Sequence, residues 1–188
     1  LSVSQAARVK LIDAILAAAD GRYKEAARFF AQAEKGLSGD RRGVALYGGY
    51  YARGLADPNR AEALPPQTGG PDSAFLRAYA IGFLKDLRAA IAELHAAEKR
   101  FPNDPALPAY RAWLALLLND RQQAEEAINR SLSLDPAEPT ALEARAHFRA
   151  GFLGDNKGAL EDLNSVLAVA PGSSSTWNAI GNIQSERN

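Results

Sequence analysis

Apolar residues return every three or four positions from one end of this chain to the other, and nowhere do they alternate with polar residues over the length of a strand. That period is helical. β-branched residues are sparse, which removes the other support for a sheet. The chain is therefore expected to be all-α. A first helix over about 4–19 carries the apolar stripe Leu11, Ile12, Ile15 and Leu16. Asp20-Gly21 breaks it, a second helix covers 23–35 with Gly36 as its C-cap, and a third covers 41–54. The stretch 56–71 reads ADPNRAEALPPQTGGP, and its four prolines and Gly69-Gly70 leave room for at most one short turn, at 60–64. Helices resume over 72–84, over 87–100 behind the cap Asp86, and from Pro105 to Leu118 behind the cap Asp104. They continue over 122–134, 140–153 and 157–169, and a last helix starts near Thr176.

These helices repeat. Pro102 and Pro136, each closing a helix, lie 34 residues apart, and Pro136 and Pro171 lie 35 apart. Ala90, Ala124 and Ala159 keep the same spacings within the second helix of each pair, and Ala26 sits equivalently in GRYKEAARFF. Four residues after each stands a large apolar group: Phe30, Leu94, Ile128 and Leu163. A fixed period near 34 with two helices per repeat is the signature of a solenoid, in which small residues allow close helix crossing and large ones fill the gap to the next repeat.

The pattern resembles the tetratricopeptide repeat (TPR), whose motif is Trp-x2-Leu-Gly-x2-Tyr, then Ala-x3-Phe, then Pro. Trp177, Ile180 and Gly181 match its opening, with Gln184 in place of Tyr, and Gly48 and Tyr51 match its Gly and Tyr. His147 falls where the motif has a small residue, and Ala150 where it has Tyr. The resemblance covers nearly the whole chain. It implies one domain over 1–188, with repeats over about 7–40, 41–70 (degenerate), 71–104, 105–139 and 140–173, and a half repeat over 174–188. It also implies a right-handed α-solenoid of antiparallel helix pairs, in which the first helix of each pair lines the concave face.

On that register Tyr79, Trp113 and Phe148 share one inner position, Phe83, Leu117 and Phe152 follow one turn later, and Phe75 and Tyr110 lie one turn before. This aromatic stripe has two readings. It is internal packing of a tight superhelix, or it is an apolar groove for a peptide or helix, for which aromatics are favoured anchors. Arg145, Asn178 and Asn182 are candidates for a polar end to such a groove. The Lys/Asn/Arg set of a chaperone-type carboxylate clamp is otherwise missing. The segment 56–71 is either a decayed repeat bridged by a surface loop or a binding or hinge loop.

Composition narrows the chemistry. The 22 basic and 22 acidic residues cancel, and no aromatic-interleaved basic patch speaks for nucleic acid. Cysteine is absent, and His95 and His147 have no partners at metal-ligand spacing. There is no glycine-rich phosphate loop and no nucleophile elbow; Glu125-Glu126 and Glu161-Asp162 read as solvated pairs on outward faces. No cofactor, metal, catalytic residue or membrane-inserting segment is expected. The partner is expected to be a protein or peptide. The alternatives are a spacer or assembly scaffold within a larger bacterial envelope or export protein, or the regulatory arm of an enzyme whose catalytic domain lies elsewhere. The start, LSVSQAARVK, reads as the inside of a longer product. The excess of Arg over Lys, sixteen to six, hints at a GC-rich bacterium, in cytoplasm or periplasm. Solenoid ends call for polar caps; on the unpaired last helix Ser185, Glu186 and Arg187 are polar but Trp177 and Ile180 are not, which predicts end-to-end self-association there or the truncation of a longer array.

Overall fold

The structure, a computed structural model, describes residues 2–59 and 62–185. Its helices are α1 (Val3–Ala19), α2 (Tyr23–Glu34), α3 (Gly39–Ala56), α4 (Pro71–Leu84), α5 (Leu87–Arg100), α6 (Ala106–Leu117), α7 (Arg121–Leu134), α8 (Pro139–Phe148), α9 (Asn156–Val169) and α10 (Ser174–Ser185). A π-helical turn, Arg149–Leu153, continues α8. No strand occurs among the described residues. The chain divides into two compact bodies, Leu1–Ala97 and Glu98–Asn188, with α5 crossing the division.

The repeat register shows in the turns and in the core. Asp86, Asp120 and Asp155 each accept hydrogen bonds from backbone N–H groups of the second helix that follows. The turns before Asp120 and Asp155 place Asn119 and Gly154 in the left-handed region, at φ 55° and 65°. Ala26, Ala90, Ala124 and Ala159 are fully buried, and Phe30, Leu94, Ile128 and Leu163 are buried beside them. Side chains this small let helix axes approach closely, and the large residue one turn on fills the remaining gap.

The first helix departs from its expected face. α1 buries Ala7, Ala14 and Ala17, whereas Ile12, Ile15 and Leu16 are exposed, Ile12 by 58%. Its contact with α2 is a close one built on alanines, so the larger side chains turn outward.

Between α3 and α4 the described residues form no helix. Residues 62–68 form no regular structure; Arg60 and Ala61, where the expected turn begins, lie outside the described residues. Glu62 accepts from Arg53 at 2.9 Å, Pro66 O accepts from the Tyr47 hydroxyl at 2.8 Å, and that hydroxyl accepts from Thr68 N at 2.9 Å. The Asp40 carboxylate accepts from the N–H groups of Gly70, Asp72 and Ser73. As the segment advances from 62 to 73, its partners on α3 retreat from 53 to 40. It is a strap running antiparallel along α3, as a second helix would. The helix from Asp40 to Arg53 rises about 20 Å, which the residues from Glu62 to Gly70 can cover when extended at about 3.3 Å each.

With no helix between them, α3 and α4 lie side by side and parallel. A Cβ on Gly43 would fall 2.5 Å from that of Ser73, and one on Gly54 would fall 2.6 Å from Leu84 Cδ1. Glycine is required at Gly43, where the obstacle is the Ser73 Cβ; at Gly54 the obstacle is the far end of the Leu84 side chain, which a Cβ would displace. The described residues of the strap are thus bonded along α3, and Gln67 ties them also to Glu93 of α5 at 2.8 Å.

Candidate functional site

Among the residues expected to line an inner face, each body makes its own aromatic group. In the first, the Tyr79 ring lies 5.2 Å from Tyr51, 5.9 Å from Phe75 and 4.4 Å from Phe83. Phe83 remains 57% exposed. Burial pushes the Tyr51 phenol pKa up, and its hydrogen bond with Tyr79 pushes the same way. In the second body Trp113 meets His147 edge to face at 4.7 Å, with Tyr110 half-buried on the same helix and Leu117 65% exposed.

Phe148 is not part of such a face. It is 4% exposed, stacked with Phe152 at 5.3 Å and capped by the Arg121 guanidinium at 5.9 Å. The reason is register. A π turn holds one residue more than an α turn, and the one in this repeat lies at 149–153, after Phe148. Up to that point the spacing from the preceding repeat is 34, not 35. The residue equivalent to Trp113 is therefore His147, and the motif's small residue is Ala146, fully buried. Phe148 falls one position outside the inner face, as an anchor buried in the core. The extra residue of the 35-residue repeat is absorbed in the π turn.

Arg145 is also committed elsewhere. It reaches Asp162 with two bonds, of 2.9 and 2.6 Å, which raise its pKa, and Arg149 reaches the same carboxylate at 2.8 Å. Asp162, expected on a solvated outward face, is buried, and these two guanidiniums compensate its desolvation. The other expected pair, Glu125-Glu126, is exposed, with Glu126 3.3 Å from Arg111. Asn178 and Asn182 are exposed on α10. The polar end thus reduces to the two asparagines.

Sequence reasoning missed a periodic signal. Arg77, Arg111 and Arg145 stand 34 residues apart on successive first helices. Arg77 pairs with Glu93, Arg111 with Glu98 at 2.6 Å, and Arg145 with Asp162. Each ties its first helix to a second helix. The signal is visible in the sequence as arginine recurring at one period, but an alignment of apolar positions alone passes over it.

The last helix is held by a hydroxyl cluster. The Glu143 carboxylate on α8 accepts from Ser175 at 3.2 Å and from Thr176, while Trp177 Nε1 donates to Pro171 O at 3.0 Å. Two recesses open near these groups. One of about 530 Å³ lies between the C-terminal ends of α3 and α4 and the strap, lined by Tyr50, Arg53, Glu62, Phe83 and Lys85. The other, about 230 Å³, lies between α8 and α10, lined in part by His147, Gly151, Asn182 and Ile183. Among the described residues no helix is long and apolar enough to cross a membrane, and no three His, Asp or Glu side chains converge as metal ligands.

No protein-family profile matches the chain, and no curated protein matches it in sequence. Solved structures do match it. A thermophilic TPR protein of Thermus thermophilus is 22% identical, with 95% of this chain and 99% of that one covered at a TM-score of 0.65. The second TPR domain of human RPAP3, solved in complex with an HSP70 peptide, is 24% identical over 57% of this chain and 89% of its own, at 0.51. YrrB, a TPR protein with an unusual peptide-binding site, is 17% identical over 90% of this chain and 89% of its own, at 0.51. The chain has the tetratricopeptide-repeat fold, all-α and built from helical pairs.

Proposed function

We propose that the protein is a non-catalytic interaction module that holds a peptide or a segment of a partner protein on the inner faces of its first helices. The observation that carries this reading is the exposure of Phe83 and Leu117, one repeat apart in sequence, each beside half-buried aromatic rings on its own helix. Large apolar side chains left in water above an aromatic floor suit an apolar partner surface. The peptide complex of RPAP3 and the peptide-binding site of YrrB indicate that this fold supports such binding in other chains. The anchors are Phe75, Tyr79 and Phe83 in the first body and Tyr110, Trp113 and Leu117 in the second, with Asn178 and Asn182 as hydrogen-bonding groups on α10. Affinity capture with the native chain and with a Phe83→Ala, Leu117→Ala double variant tests it. The variant is expected to lose most of the captured protein; equal recovery would sink the proposal.

A second reading, an assembly scaffold that stacks end to end through α10, is favoured by Trp177, which is 55% exposed. Sedimentation over a range of concentrations separates the two, since a chain that stays monomeric throughout does not stack.

A further inference from the structure

Two pairs of successive first helices meet through rings. Tyr51 on α3 contacts Tyr79 on α4 in one body, and Trp113 on α6 contacts His147 on α8 in the other. The next contact of this kind would join α8 to α10, and there it is absent. The residue one repeat beyond His147 is Asn182, which has no ring and is exposed. Gly151, one turn after His147, has no side chain, and a Cβ built on it would meet nothing within 4 Å. The result is the open recess of about 230 Å³, with Leu163 and Ile183 among its apolar walls and His147 and Asn182 as its polar groups. That volume is below the roughly 300–1,000 Å³ of sites for free small molecules. It suits one side chain of a longer ligand.

We propose that this recess takes one aromatic side chain of a bound peptide, packed on the His147 imidazole, with the Asn182 amide available to the peptide backbone. The proposal rests on the peptide-binding reading above. The occupant follows from the chain itself: an aromatic ring is what α3 and α4, and α6 and α8, place against one another, and at α8 and α10 Asn182 supplies none. Aromatic pairs prefer the edge-to-face and offset geometries already seen at Trp113 and His147, so the same imidazole is suited to a ring from outside.

The test is a random peptide library selected on the full chain, with enriched peptides measured against three variants. Gly151→Leu fills the recess, and the open space around Gly151 accommodates the side chain. His147→Ala removes the ring, and His147→Phe restores one. Peptides sharing one aromatic residue, bound about tenfold more weakly by Gly151→Leu and by His147→Ala and regained by His147→Phe, are the expected result. In parallel, N-acetyl-tryptophanamide should shift the amide resonances of Ala146, Gly151 and Asn182 more than N-acetyl-leucinamide does. Peptides that bind all three variants equally but are lost by Phe83→Ala or Leu117→Ala would overturn the recess and leave the binding reading standing. Enrichment of no peptide would overturn both. Because thermal unfolding reports whether Gly151→Leu is folded, and the His147 pair tests the ring independently, one failed variant does not rescue the idea.

Discussion

Trp113 and His147 occupy the same place on successive first helices, 34 residues apart, and their rings meet edge to face at 4.7 Å. This contact fixes the register of the last full repeat. It shows that the extra residue of that repeat enters after position 148, where the π turn 149–153 absorbs it. One apparent departure from the repeat motif, a histidine at the small position, comes from counting that residue too early; the tyrosine position moves from Ala150 to Arg149 and still lacks a tyrosine.

If the π turn is an accommodated insertion, removing a residue from it should be tolerated. Deletion of Gly151 restores a 34-residue repeat and lets the turn revert to α geometry, in which the preceding first helices α4 and α6 fold. The expected result is a folded chain with stability unchanged or slightly raised, read by chemical denaturation. A loss above about 3 kcal/mol, the scale of a core defect, would sink the insertion account.

Asp162 should be among the most sensitive charged positions. It is buried and holds both Arg145 and Arg149, so Asp162→Ala leaves two guanidiniums without their carboxylate. Breaking a buried pair costs about 3–5 kcal/mol, and the lower end applies because both arginines keep contact with water. The neighbouring Glu161→Ala, on an exposed position, should leave the unfolding midpoint where it was. Equal effects of the two substitutions would refute the assignment.

Helix type, helix order and repeat period were legible because they rest on local apolar spacing, which survives in a single sequence. The buried alanines and their large partners were legible for the same reason. What was not legible depended on tertiary neighbours. The outward turn of Ile12 and Leu16 needs the knowledge that α2 approaches α1 through alanines. The burial of Phe148 needs the position of one inserted residue, which a count of 35 cannot supply. Asp162 looks like any acidic residue on a helix until Arg145 and Arg149 are seen beside it. The strap was visible as a break in helical pattern, but its path along α3 is set by hydrogen bonds from Tyr47 and Asp40, to which no sequence pattern points.

Those two residues make the strap testable. Tyr47 is fully buried, and its hydroxyl both donates to Pro66 O and accepts from Thr68 N. Tyr47→Phe strands these groups, at a cost of about 1–3 kcal/mol. Asp40→Ala removes the acceptor of three backbone N–H groups at the start of α4. Both substitutions should raise amide hydrogen exchange at Thr68, Gly70 and Ser73 while leaving the α7 and α9 amides unchanged. Unaltered exchange in the strap would mean that these hydrogen bonds do not hold it.

His147 gives the fold an acid-side sensitivity of predictable sign. The residue is exposed, but partial desolvation of its imidazole beside Trp113 lowers its pKa, only partly opposed by Glu143, which favours the cation. A histidine whose folded pKa lies below its unfolded value of 6.5 takes up its proton more readily in the unfolded chain. Stability from this residue is therefore intact above pH 6.5 and is lost progressively as pH falls toward the lower folded pKa. In His147→Phe the ring contact persists and the proton is gone. The drop in denaturation midpoint between about pH 7.5 and about pH 5 should be smaller in this variant than in the native chain. The same drop in both would place the acid sensitivity in other groups and show that the imidazole titrates as freely folded as unfolded.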